Sequence, residues 1–431
     1  MDNESDFLYF KRMRHIIKSI TIASLGNLLE WYDFGLFASF SLLFSQLFFP
    51  QQSGHLALIE IFAVYAVGFF CRPLGAILFG MMGDRYGRVK TLRASIFAMT
   101  LPTILIAFLP TYAMLGIGAP LMLMGLRLFQ GMSLGGEFTG VIIYLAESAP
   151  RQHRAFLTSF AGTIANVGFL FSGCVAAILV HLMTPEHFAQ YGWRLAFLLG
   201  GALGLMIFYL QRFLKETHAF SALQGKHEVA QVSFWVVIKA TWPKMLLTIG
   251  LVMLGSVLYY MSFVYFFSLL QSLGMSKSVA YILQAVFLGL MLIFVPLGGV
   301  LCDHWGRRKT FLILAGAVFT FSLPALYLLL SGHFIYIVLG LLFFVLLSSL
   351  EQGTTSITVV EQFPAAFRYS GLSFSYNLAQ AIFGGTAPML AGYLSFIKQS
   401  ALGPAFYLMG LAAVTFLTAL FFLKKNRPTL A

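Results

Sequence analysis

Apolar runs of about 20 residues, long enough to cross the hydrocarbon core of a bilayer, recur along the whole of this 431-residue chain. Breaking it at charged or Gly/Pro-rich loops gives twelve of them, over 18–47, 56–82, 90–109, 117–147, 155–182, 193–214, 242–272, 277–301, 310–331, 334–359, 368–397 and 401–423. In lipid every backbone polar group must be satisfied internally, so only helices and closed barrels span. These runs are continuously apolar and lack the alternation of a barrel wall, which leaves helices. Only 10% of the residues are charged, against roughly 25% in soluble domains. The expected fold class is an all-α membrane protein with twelve transmembrane helices.

A net charge of +12 admits nucleic-acid binding, but its distribution argues for membrane topology. Lys and Arg gather in alternate loops. Arg85, Arg88, Lys90, Arg93, Arg151, Arg154, Arg307, Arg308, Lys309 and Arg368 fall on one side, and Lys277 and Lys398 on the other. That asymmetry assigns the first side, with both termini, to the cytoplasm. The polar stretch from Leu214 to Ser233 divides the chain. The expected organisation is a cytoplasmic tail over 1–17, a six-helix bundle over 18–214, a cytoplasmic linker over 215–241, a second bundle over 242–423 and a short tail over 424–431.

The two halves repeat each other. Gly80, Asp84, Gly87 and Arg88 recur as Gly299, Asp303, Gly306 and Arg307, 219 positions on. Glu147, Pro150 and Arg154 recur as Glu361, Pro364 and Arg368 at an offset of 214, which also carries Glu137 onto Glu351. Parallel six-helix repeats build one large transporter architecture. Cys71, Cys174 and Cys302 have neither disulfide nor metal-ligand spacing, and no metal or cofactor is expected.

Charged residues inside apolar runs are costly and read by default as facing a cavity or a partner. Glu30 and Asp33 lie one turn apart in the first run, Arg72 in the second, Arg127 and Glu137 in the fourth and Glu351 in the tenth. Arg127 has no counterpart, because position 341 is Leu. Aligning Gly26 with Gly255 puts Glu30 on Tyr259 and Asp33 on Ser262. Symmetry is therefore broken where proton chemistry would sit, the alternative being a static buried salt bridge. Glu137 and Glu351 are candidates to touch a solute or to satisfy polar neighbours. Arg72 is expected to be the one free cation, suited to a carboxylate, and Trp31, Tyr32, Tyr259, Tyr260 and Tyr376 to cage an ammonium. In the loops, Gly87 serves a tight turn, and Asp84 can cap the N-terminus of the helix that follows it. Arg88, Glu147 and Arg154 either close a charge network or only mark topology.

The Gly80-to-Lys90 loop, with Asp84, Arg85, Gly87 and Arg88, resembles the signature of the major facilitator superfamily. Gly26 to Phe34, Arg127-Leu-Phe-Gln130-Gly131 through Glu137, Tyr191-Gly-Trp193-Arg194, and Glu361 through Arg368-Tyr-Ser-Gly371 to Tyr376-Asn377 are similar to its metabolite:proton symporter branch. That branch includes proline/betaine, α-ketoglutarate, citrate and shikimate transporters. The resemblance covers nearly the whole chain. It implies that Asp33 faces Arg127 as the proton site with Glu30 assisting, and that Gln130 and Asn377 join the solute-binding candidates. It also supports a cytoplasmic latch of Asp84, Arg85, Gly87, Arg88, Glu147 and Arg154, with Asp303, Arg307, Arg308, Glu361 and Arg368 as its repeat. The osmosensing member carries a long coiled-coil tail, whereas this chain ends at Ala431, which argues against osmosensing.

No P-loop, H-E-x-x-H or Ser/His/Asp arrangement is present, so an enzyme or ATP-driven pump is not expected. The expected function is proton-coupled import of a small polar metabolite by alternating access, with a zwitterion, amino acid or betaine favoured. A carboxylate symporter, an uncoupled facilitator or exporter, and a membrane receptor or scaffold are the alternatives. The expected setting is a bacterial inner membrane, with the solute, the proton and lipid as partners and a monomer as the working unit.

Overall fold

The computed structural model describes residues 2–49, 54–226, 229, 233–397 and 401–424. Parts of the linker (227, 228 and 230–232), Lys398 and the tail from Lys425 onward lie outside the described residues. Helix is the only regular structure among those described. Twelve principal helices follow the twelve apolar runs: α1 (Asp2–Ser39), α2 (Gly54–Tyr86), α3 (Arg88–Ala107), α4 (Gly118–Ser148), α5 (Arg154–Leu182), α6 (Trp193–Leu210), α7 (Phe234–Tyr260), α8 (Lys277–Trp305), α9 (Arg307–Leu330), α10 (Phe334–Val360), α11 (Arg368–Ala379) and α12 (Gly403–Phe422). The stretch 1–17, expected as a tail, is helical from Asp2 onward and continues into α1.

Among the described residues, eight helical segments are long and apolar enough to cross a membrane. Two of the other four, α1 and α4, carry Glu30, Asp33, Arg127 and Glu137, which lower their hydropathy. Large apolar side chains also line outer faces at helical spacing, as with Phe70, Leu74 and Leu78 on α2 and Phe97, Leu101 and Leu105 on α3. A helix apolar on its outer face as well as its inner one suits hydrocarbon as its solvent.

The loops turn where glycine permits. Gly87 and Gly306 have φ values of 106° and 88° between α2 and α3 and between α8 and α9, a region that side chains with a Cβ rarely occupy. Two of the helices in the second half relax into π-turns: Met261–Tyr265 continues α7, and Gln380–Gly384 continues α11. Such turns cluster at functional sites.

The chain divides into two compact units that do not follow the halves of the sequence. The first takes residues 1–149 and 164–234 and adds 365–373 from the second half. The second takes 235–364 and 374–431 and adds 150–163 from the first half. Each unit thus includes the opening of a helix whose remainder belongs to the other.

Candidate functional site

In the first unit, α1 places Asp33 fully buried against Arg127 of α4, with Oδ2 2.5 Å from Nη1. The hydroxyl of Thr103 on α3 donates to Asp33 Oδ1 at 3.1 Å, and the Gln130 amide donates to the same oxygen at 2.9 Å. The Arg127 guanidinium also lies 3.8 Å from the centroid of the Phe37 ring, one turn along α1. The buried carboxylate thus has a cation and two neutral donors for its oxygens without calling on water. Gln130, expected to contact solute, belongs to this cluster instead.

One turn back on α1, Glu30 Oε1 lies 3.5 Å from Nη2 of Arg72. This corrects two expectations. Glu30 faces Arg72 rather than assisting Arg127, and Arg72 is not a free cation. A buried arginine finds the nearest carboxylate, since an unpaired charge in low dielectric is expensive. Tyr32 is corrected as well. Its hydroxyl donates to the Ala196 carbonyl at 2.8 Å, and its fully buried ring sits in an aromatic core with Phe37, Phe44, Trp193 and Phe197. Trp31 remains half-buried, edge-on to Phe169.

Glu137 and Glu351 occupy matching niches, one in each unit. The Ser95 hydroxyl bonds to Glu137, and a Cβ at Gly26 of α1 would fall on the Glu137 carboxylate. The Thr355 hydroxyl donates to Glu351 at 2.5 Å, and a Cβ at Gly255 of α7 would likewise fall on the Glu351 carboxylate. The first helix of each unit carries a glycine so that a buried glutamate on the fourth can fit beneath it. Beside Glu351's unit-mates, Tyr259 meets Tyr260 edge-on at 5.6 Å, and Tyr376 accepts a 3.1 Å hydrogen bond from Gln380. A Cβ at Gly384 would meet the Tyr260 ring at 2.8 Å. The π-turns of α7 and α11 therefore pack together through candidate solute residues, with Asn377 fully buried one residue from Tyr376.

At the loop ends the repeat motifs form two matching networks. In the first unit, Glu147 receives Arg88 at 3.1 Å and Arg368 at 2.6 Å, and the Thr217 hydroxyl donates to it at 2.5 Å. Asp84 accepts the backbone N–H groups of Tyr369 and Ser370 at 3.0 and 2.9 Å. In the second, Arg307 meets Glu361 at 3.1 Å and Asp303 at 3.0 Å, and Asp303 accepts the N–H groups of Ala155 and Phe156. Burial raises the Glu361 carboxyl, while Arg307 and, less strongly, Arg154 pull it down.

Three expectations change here. Asp84 caps α11 rather than the helix that follows it. Glu216 caps α3 instead, accepting from the Arg88 and Val89 N–H groups at 3.1 and 3.2 Å. Arg154 and Arg368 also exchange networks, Arg368 joining Glu147 and Arg154 acting on Glu361, because each aspartate captures the N-terminus that follows the other half's arginine. Arg85 is exposed over the Tyr86 ring, and Arg308 donates to the Leu420 carbonyl at 2.6 Å, so neither enters a network. Thr103, Ser95, Glu216, Thr217 and Tyr369 were not singled out in the sequence. Ser95 and Thr103, two turns apart on α3, were the available signal. Among the described residues, no group of three or more His, Cys, Asp or Glu gathers to hold a metal.

The profile of the Major Facilitator Superfamily matches residues 23–388 and 252–431. The proline/betaine transporter of Salmonella typhimurium is 34% identical over 423 residues, covering 95% of this chain and 84% of the relative. A glycine betaine/proline/ectoine/pipecolic acid transporter of Dickeya dadantii is 36% identical over the same shares. Among solved structures, the proton:xylose symporter XylE bound to 6-bromo-6-deoxy-D-glucose superposes with a TM-score of 0.78 at 20% identity, over 97% of this chain and 98% of that one. The fold, the duplicated loop motifs and relatives that match nearly end to end agree: this chain is an integral membrane transporter and belongs to the major facilitator superfamily.

Proposed function

We propose that the chain is a proton-coupled importer of a small zwitterionic solute of the proline/betaine class, working by alternating access. The observation that carries coupling is the Asp33–Arg127 pair, closed by Thr103 and Gln130 and present in one unit only. Asp33 carries the proton and Arg127 is the counter-charge that releases or recaptures it. Asp33→Asn is expected to abolish concentrative uptake in proteoliposomes and to spare counterflow exchange. Accumulation of solute against its gradient by Asp33→Asn would refute the assignment.

The choice of solute rests on charge balance and on the relatives. Arg72 and Arg127, the arginines within the apolar runs of the first unit, already face carboxylates, so a di- or tricarboxylate would have to displace Glu30 or Asp33. Glu137 and Glu351 add negative charge, and Tyr259, Tyr260 and Tyr376 offer faces to an ammonium. The relatives named as proline, betaine and ectoine transporters fit that balance. Inhibition of uptake by proline and glycine betaine, with none by citrate or α-ketoglutarate, is expected, and the reverse pattern would overturn the choice. The Asp84 and Asp303 networks serve as the cytoplasmic latch, in a monomer of a bacterial inner membrane with both termini inside.

A further inference from the structure

Tyr369 is the largest feature of the first unit for which the transport reading has no use. It is fully buried at the start of α11, and glycines on two other helices make room for it. A Cβ at Gly83 of α2 would fall on its ring, and one at Gly140 of α4 on its hydroxyl. The hydroxyl donates to the Gly136 carbonyl at 3.0 Å, and Asp84 holds the backbone N–H. Gly136 and Gly140 form a small-x-x-x-small pair, the spacing that lets another element approach a helix closely.

This slot lies directly beside Glu137. Gly136 is its neighbour in sequence, and Gly140 lies one turn further toward the Glu147 end of α4. The same Cβ position at Gly140 is 3.0 Å from Leu92 of α3, and Ser95, which bonds to Glu137, lies one turn on from Leu92. Tyr369 and Leu92 thus cover Glu137 on the side that bears Asp84 and Glu147. Glu137 itself is 1% exposed, and its Oε1 has no hydrogen-bond partner among the described residues. The second unit has nothing similar: Ala155 stands where Tyr369 does, and Cys302, Leu350 and Thr354 stand where the three glycines do.

We propose that Tyr369 is a plug that seals the Glu137 carboxyl from water at the end of the first unit bearing Asp84 and Glu147, which is the cytoplasmic end on the function proposed above. A buried carboxyl exchanges its proton with bulk water only along a wetted path. Removal of the ring leaves Gly83 and Gly140 facing the space it filled and the Gly136 carbonyl without its donor. Tyr369 acts through Glu137 and is a positioning residue, not a solute contact.

The test reads access and not transport. Full-length protein in oriented vesicles is treated with a membrane-impermeant, water-soluble carbodiimide and an amine tag, and modification of Glu137 is quantified by peptide mass spectrometry with Glu351 as internal reference. Tyr369→Ala is expected to raise Glu137 modification several-fold from the Asp84 side, while Tyr369→Phe, which keeps the ring in the slot, stays at the wild-type level. Gly140→Ala, which displaces the hydroxyl but retains the tyrosine, is expected to fall between them and serves if Tyr369→Ala does not fold. Equal Glu137 modification in Tyr369→Ala, Gly140→Ala and wild type would overturn the plug, as would a parallel rise at Glu351. A rise confined to the opposite face of the vesicle would support the plug and overturn the cytoplasmic assignment of that end.

Discussion

The Asp33 cluster and the positions that repeat it in the second unit share a scaffold and differ in everything polar. Asp33 corresponds to Ser262, Arg127 to Leu341, Thr103 to Ser322 and Gln130 to Phe344. Phe37, which carries the Arg127 guanidinium, corresponds to Phe266, whose ring lies 4.7 Å from Phe344. One aromatic shelf therefore supports a cation in the first unit and another aromatic in the second. Ser262 bonds only weakly sideways, 3.4 Å from the Ser348 hydroxyl, and otherwise back to the Leu258 carbonyl. The duplicated fold does not require the charges, since the second unit packs the same place with uncharged groups. Buried ion pairs are often no more stabilising than well-packed hydrophobic replacements, so the retained pair is better explained by a task than by stability.

The sharpest way to break the comparison is to leave one charge of the pair alone. Arg127→Leu strands Asp33 in the bilayer and is expected to cost about 3–5 kcal/mol in unfolding of the detergent-purified protein. The double variant with Asp33→Asn turns the cluster toward the second unit's composition and is expected to recover most of that loss. An additive double variant would show that the two side chains are not coupled.

The glutamate niches should respond alike in the two units. Gly26→Ala and Gly255→Ala each drive a methyl group onto a buried carboxylate and are expected to cost about 1–3 kcal/mol. Thermal unfolding that singles out one of them would show that the niches are not equivalent. The capping aspartates come next. Asp84→Ala and Asp303→Ala each leave two helix-terminal N–H groups without their acceptor, a loss of about 1 kcal/mol. Each is expected to raise thiol labelling of a cysteine introduced on the Asp84 side, with Asp84→Ala the stronger because Glu147 holds two arginines there. Unchanged labelling would leave the aspartates as caps alone. The smallest contrast is Thr103→Ala against Ser322→Ala. The first removes a donor from Asp33 and is expected to shift the pH profile of uptake. The second breaks only a bond to the Val318 carbonyl and is expected to stay within about 0.5 kcal/mol of wild type with an unshifted profile.

What could be read in the sequence follows from what is local or costly. The twelve helices were legible because hydrocarbon demands long apolar runs, and the Gly26–Gly255 and Glu137–Glu351 alignments survive as real niches. Asp33 opposite Arg127 was legible through the family resemblance, which implies that pairing. The partner of Arg72 was not, since Glu30 and Asp33 stand one turn apart and spacing along α1 does not say which arginine each will meet. Nor was the exchange of Arg154 and Arg368. Reading a repeat in chain order groups residues by sequence, whereas Asp84 and Asp303 select whichever helix N-terminus points at them in space. Tyr369 was hidden by abundance, one aromatic among 46 Phe and 18 Tyr. Its slot, Gly83 and Gly140, lies on two different helices, so no spacing along the chain marks it.

The borrowing of residues 365–373 by the first unit also fixes an order of events in biosynthesis. Asp84 and the Tyr369 N–H that donates to it are 285 residues apart. At roughly 5–20 residues per second, the growing chain holds the first six helices for on the order of 8–30 s before α11 emerges. Through that interval the glycine slot of α2 and α4 is unfilled, Glu147 has Arg88 but not Arg368, and Asp84 caps nothing. The nascent first half is thus a partially assembled intermediate in the membrane, completed only by a segment made near the end of translation, and a ribosome stalled before position 365 would leave it in that condition.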